Sequence, residues 1–169
     1  MSRPDLSRVT AFYHRYINLV EEDDLLTALK NQSDSFPDFL ASIPAAKREY
    51  RYAEDKWTVK EMLQHIIDTE RIFAYRGLCI ARKEKTSLPG FDENEYADNS
   101  KAASRNWDDL VEEFVVTRRS NEILFSSFDK EQLETNGTAN GNPVYVLPIG
   151  FMLVGHIEHH VNVLKERYL

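Results

Sequence analysis

A single cysteine, Cys79, stands in this chain of 169 residues. It has no internal disulfide partner and offers no Cys-rich metal framework. Basic residues are also in deficit: 21 Lys and Arg face 28 Asp and Glu, for a formal net charge of -7. They are scattered among the acids, so no basic stripe exists to neutralise phosphates, and a nucleic-acid role is excluded. The longest apolar run, residues 144–155 with Pro148 embedded, is too short to span a bilayer. The opening Met1-Ser2-Arg3-Pro4-Asp5 has no apolar core of a secretory signal. A cytoplasmic location is the expectation. No internal repeat or low-complexity tract is present.

What is there suits a globular fold: 42% hydrophobic and 29% charged residues. One domain over residues 1–169 is expected, and a chain of this size buries roughly 70% of its unfolded surface. Four helical patterns emerge. The first covers residues 19–43, with Leu25, Leu26, Leu29, Phe36, Phe39 and Leu40 at apolar positions. Pro37 interrupts it and predicts two shorter helices. The second is the sharpest: Thr58-Val59-Lys60-Glu61 is a capping box, and apolar spacing then runs to about Lys83. Thr86-Ser87-Leu88-Pro89-Gly90 breaks the helix, and an acidic loop follows to about Ser104.

The third helix spans about 106–128, with Trp107, Leu110, Val111, Phe114 and Phe125 inward. Asn136-Gly137 and Asn140-Gly141 are both turn signals. They predict a long crossover or a small hairpin before a last helix, which carries Pro148 in its first turn and runs to about Tyr168. Four helices without a parallel-sheet pattern define an all-α fold, a four-helix bundle.

Five histidines are present: His14, His65, His156, His159 and His160. His156 and His160 lie four apart on the last helix, with Cβ atoms ~6 Å apart on one face. They fall within the stripe of Ile149, Leu153, Leu164 and Arg167, so two polar rings point into the bundle. Buried imidazoles need partners. A divalent ion at ~2.0–2.1 Å from each, with His65 from the second helix as third ligand, satisfies them and leaves one position open. A His-x-x-x-His pair alone is not specific, because core or solvated histidines often show the same spacing. His159 is offset by about 60° and reads as a flanking residue, and His14 reads as a surface histidine. Glu follows neither His in the zincin order, and no Glu-x-x-His pair is present, so peptidase and di-iron oxidase chemistry is disfavoured.

Glu70 and Arg118 fall on inward faces, where each is costly to bury alone. Either they pair across the bundle, or Arg118 faces the cleft and binds an anionic substrate bidentately. Asp68, one turn after His65, is a candidate proton acceptor or ligand-orienting carboxylate, and equally a plain surface residue. Arg76 shares the His65 face but lies ~16 Å along the axis, within reach of only an extended substrate or a partner subunit. Cys79 reads as a small, half-buried helix residue.

The run Trp57 to Arg71, the loop Leu88-Pro89-Gly90-Phe91-Asp92, and Gly155-His156-Ile157-Glu158-His159-His160 with the closing Glu166-Arg167-Tyr168-Leu169 together resemble the DinB/YfiT-like superfamily. The likeness extends from about Asp24 to the C-terminus. It implies an up-down-down-up bundle, a divalent metal held by His65, His156 and His160, and a homodimer. Relatives of known activity include transferases that use the low-molecular-weight thiols bacillithiol or mycothiol, and a maleylpyruvate isomerase. Others are described only as stress-induced or as metal-dependent hydrolases. The resemblance thus implies a metal-dependent enzyme acting on a small molecule, foremost a thiol-dependent transferase. A hydrolase, or a non-catalytic metal-binding or dimerisation module, stands as the alternative. Imidazole ligands suit zinc, nickel, iron or copper.

Overall fold

The computed structural model describes residues 3–169; Met1 and Ser2, part of the segment read above for a secretory signal, lie outside the described residues. In chain order the elements are α1 (Ala11–Ile17), α2 (Leu25–Ser42), α3 (Val59–Ala81), α4 (Glu93–Asn99), α5 (Trp107–Ser126), α6 (Lys130–Leu133), β1 (Asn136–Ala139), β2 (Asn142–Tyr145) and α7 (Val146–Arg167). Four of them are long. Among these, α3 packs against α5 and α7, and α2 packs against the same two, so the four close a ring. The short α1 lies on α7.

The apolar core forms two clusters along this ring. One gathers Phe36, Leu40, Ile43, Val59, Leu63, Ile67, Trp107, Phe114, Ile157 and Leu164. The other holds Leu25, Leu29, Phe73, Ile80, Phe125, Ile149, Met152 and Val154, together with hairpin residues Ala139 and Val144. The residues of α3, α5 and α7 that fall between the two clusters in sequence include Thr69, Glu70, Arg118, Asn121 and His156, all buried. Polar groups thus interrupt the core part-way along the bundle.

Local chemistry explains the elements. In the capping box, the Thr58 hydroxyl accepts from the Glu61 amide at 3.2 Å, and the Glu61 carboxylate accepts from the Thr58 amide at 2.6 Å. The β1–β2 turn places Asn140 and Gly141 at φ 52° and 71°, the left-handed pair that a two-residue hairpin requires. Asn136-Gly137, the other turn signal, lies inside β1 instead. There a Cβ on Gly137 would come within 2.6 Å of Ile80. Pro148 does fall in the first turn of α7.

Four expectations need correction. Pro37 lies inside a continuous α2. The buried Leu29, Phe36 and Leu40 on either side of it keep both halves on the core, which outweighs one lost backbone bond. The helix begins at Leu25 rather than near residue 19, and residues 11–17 form a separate helix, α1. His14 on α1 is half-buried rather than superficial. Its Nε2 lies 3.0 and 2.9 Å from the carbonyls of Leu6 and Val9 and pins the chain's N-terminal turn. The acidic loop also contains α4, capped by Asp92 accepting from the amides of Asn94 and Glu95.

Candidate metal centre

Two helices deliver three imidazoles to one point. The capping box fixes the start of α3 just ahead of Met62 to Ile67, which anchor in the core and turn His65 toward α7. On α7, His156 and His160 occupy successive turns. His156 Nε2 lies 3.0 Å from His65 Nε2 and 3.0 Å from His160 Nε2. One nitrogen from each ring falls within 4.8 Å of the others. All three side chains are buried, at 8%, 6% and 8% exposure for His65, His156 and His160.

Burial sets their charge. It pushes His65 down to about 4, with the neighbouring His159 adding to the effect. It holds His156 and His160 well below the ordinary imidazole value, reinforced by the facing rings. All three are therefore neutral near pH 7. A single ring nitrogen offers one proton or one lone pair, so hydrogen bonding serves at most one of the two contacts at His156 Nε2. A cation between the rings would serve all three nitrogens. Nitrogens at ~2.0–2.1 Å from a tetrahedral ion stand about 3.3 Å apart, a few tenths of an ångström from the two 3.0 Å spacings at His156. The donor set fits a divalent metal. Buried His160 Nδ1 makes no hydrogen bond.

The three rings form part of the wall of a cavity of about 330 Å³. On α3 the lining continues through Thr69, Phe73 and Arg76, and α1 contributes Phe12, Tyr13, Arg15 and Tyr16. Trp57 packs on His65 with ring centroids 4.7 Å apart, and Tyr16 meets His156 at 5.7 Å and His159 at 5.5 Å. Arg15 lies over the rings of Phe12 and Tyr16. The close seat of α1 depends on Gly155, where a Cβ would fall 1.9 Å from the Tyr16 carbonyl oxygen. The residues from α1 were missed in the sequence because seven residues are too few for a helical period to declare itself. The aromatic run Phe12-Tyr13-His14-Arg15-Tyr16 was the available signal.

Two candidates lie elsewhere. Asp68 accepts a 3.0 Å hydrogen bond from Gln64 and borders a separate surface hollow with Arg71, Ile72 and Tyr96. It lines that hollow and not the cavity beside the histidines, and its hydrogen bond goes to Gln64 rather than to an imidazole. Arg118 is fully buried and donates to Glu70 at 2.6 Å. Asn121 donates to the other Glu70 oxygen at 2.8 Å. Burial pushes the Glu70 carboxyl upward while Arg118 and Asn121 pull against that shift. The cross-bundle pair is what forms, and Arg118 faces no cleft. Arg76 departs in the opposite sense: its side chain lines the same cavity as the histidines, since helical side chains lean toward the N-terminus.

The sequence profile of the DinB superfamily matches residues 28–164. The chain belongs to the DinB superfamily. The matched span holds all three histidines, whereas α1 precedes it. Among solved structures of this DinB-like kind, YfiT from Bacillus subtilis is described as a probable metal-dependent hydrolase with an unusual four-helix bundle topology. Its alignment covers 98% of this chain and 91% of that one, with a TM-score of 0.70 and 14% identity. At that identity the likeness is one of fold. A comparison with curated proteins finds no match.

Proposed function

We propose that this chain is a metal-dependent enzyme in which His65, His156 and His160 hold one divalent ion, zinc, nickel or iron. Its reaction joins a small substrate to a low-molecular-weight thiol. The convergence of three neutral, buried imidazole nitrogens on the wall of an open cavity carries the reading. A closed structural site would bring up a fourth side chain. Glu158 instead takes the amide of Gln32 at 2.6 Å, and His159 stands against Tyr16.

When bound, the ion would lower the pKa of a thiol or water beside it and so favour a nucleophile. The chain's own residues do the rest. His159 lines the cavity, and burial, then the charge of Arg15, lowers its pKa, so it is neutral near pH 7 and able to accept a proton. Trp57, Tyr16 and Phe73 wall the histidines and limit water. The carboxylate in the cavity wall is Glu93, on exposed α4, and among the described residues no carboxylate hydrogen-bonds the three histidines. A thiol, with a pKa of about 8.5, yields its proton without such a base far more readily than water at about 15.7. Arg76 adds the positive group that a carboxylate-bearing thiol requires. Hydrolysis is the second reading, favoured by the description of YfiT.

The reading includes the up-down-down-up course and the homodimer implied by the family likeness. Cluster membership supports the former. The N-terminal halves of α3 and α5 share a cluster with the C-terminal halves of α2 and α7.

The test is elemental mass spectrometry on untagged protein, wild type beside His65→Ala, His156→Ala and His160→Ala. About one divalent ion per wild-type chain, lost in each variant, is the expected result. An ion retained by the variants, or a wild type that stays metal-free after reconstitution, removes the metal centre. Loaded protein is then assayed with an aryl halide and a thiol, beside an activated ester alone. Turnover that ignores the thiol moves the assignment to hydrolysis.

A further inference from the structure

Arg76 is 6% exposed, and none of the described residues forms an ion pair with it. Within the same bundle, buried Arg118 is supplied with Glu70 at 2.6 Å. An unpaired buried guanidinium is costly, and what surrounds Arg76 offsets only part of that cost. Its Nη2 donates to the Pro89 carbonyl at 2.8 Å. The guanidinium carbon lies 5.7 and 5.9 Å from the ring centres of Phe73 and Phe91. These contacts aim the group without neutralising it. Burial accordingly lowers its pKa, and Tyr13 is the group that counters that shift. Glu93 borders the same cavity from the exposed start of α4, with no ion pair to Arg76.

The geometry along α3 gives this charge a direction. His65, Thr69, Phe73 and Arg76 follow each other at spacings of four, four and three, one face of the helix, and all four line the cavity. The Thr69 hydroxyl is buried without a hydrogen-bond partner, so the wall carries a second unserved polar group between the imidazoles and the guanidinium. Phe73 supplies an apolar contact between Thr69 and Arg76.

We infer that Arg76 forms the anion-binding end of the cavity and that the molecule bound there carries a carboxylate, with its reacting end at the three histidines. The planar guanidinium edge matches a carboxylate by paired hydrogen bonds. The orientation rests on the metal-centre reading above; the carboxylate subsite does not.

Isothermal titration with hexanoate, hexan-1-ol and hexyl phosphate tests this on metal-free and metal-loaded protein. Wild type should bind hexanoate at least about ten-fold more tightly than hexan-1-ol in both forms, as a charge-assisted hydrogen bond in a buried site implies. Arg76→Met should abolish that preference while leaving hexan-1-ol affinity unchanged, and Arg76→Lys should keep part of it. Equal affinities in wild type overturn the inference, and so does a preference that survives Arg76→Met. Tighter binding of hexyl phosphate overturns the carboxylate assignment. If Arg76→Met fails to fold by circular dichroism, the wild-type comparison and Arg76→Lys decide. Metal content of the same samples keeps the two readings apart. A carboxylate preference in protein that takes up no metal removes the metal centre alone, whereas one ion per chain without that preference removes this inference alone.

Discussion

Neutrality of the buried imidazoles governs the residue scale. His65 titrates at about 4 in the folded chain against 6.5 for a free imidazole, because burial disfavours its charged form. His156 and His160 move in the same direction. Between those two values the unfolded state binds more protons than the folded one, so stability rises with pH. The contribution is complete above about pH 6.5 and disappears as pH falls toward 4; for His65 alone it is about 3 kcal/mol. Metal-free protein should therefore show a urea midpoint that falls steadily from pH 7 to 4.5, with a shallower fall in His65→Gln. A flat profile would show that the rings are charged, or exposed, in the folded chain. Arg118 and Arg76 complete the contrast at this scale. One buried cation has its carboxylate supplied by the fold, and the other faces open space.

Among the elements, α7 does the most positioning. Its glycines let other segments approach: a Cβ on Gly150 would meet Leu25 at 2.4 Å, and one on Gly155 would meet the Tyr16 backbone at 1.9 Å. A leucine side chain can shift, but a backbone carbonyl moves only with its helix. Gly155→Ala should therefore push α1 off α7, at a cost of about 1–3 kcal/mol in urea unfolding. Amide exchange should rise across residues 11–17, while metal content stays near wild type because His65, His156 and His160 belong to α3 and α7. Unchanged exchange in α1 would mean that the contact with Tyr16 does not hold that helix in place.

At the scale of the whole molecule, the histidine cluster joins α3 to α7 near the polar groups that interrupt the two apolar clusters. An ion bound there adds to folding stability by mass action, by about 2.7 kcal/mol at a free concentration 100 times the Kd. For a chain of this length that is a rise of roughly 5–10 °C in Tm. Adding zinc or nickel to metal-free wild type should produce it, EDTA should reverse it, and His156→Ala should show no shift. A metal-dependent rise that persists in His156→Ala would locate the ion elsewhere.

The sequence by itself determined the helices whose signals are local. The capping box at Thr58, the turn at Asn140-Gly141 and Pro148 in a first turn each act over a few residues, so pattern alone revealed them. It also singled out His156 and His160, since two ring-bearing positions one turn apart on an apolar face are visible in one dimension, and it offered His65, in the middle of the most sharply marked helix, as the third ligand. Only the tertiary structure decided what depends on the packing of distant segments. The continuity of α2 through Pro37 and the docking of α1 on Gly155 are set by core contacts that no local propensity encodes. So are the partners of the charges. Arg118 found Glu70 48 residues away, Asp68 lined a separate hollow, and Arg76 reached a cavity walled by α1, α3 and α7. Side-chain reach and the arrangement of helices around the ring choose among partners that sequence spacing leaves equivalent.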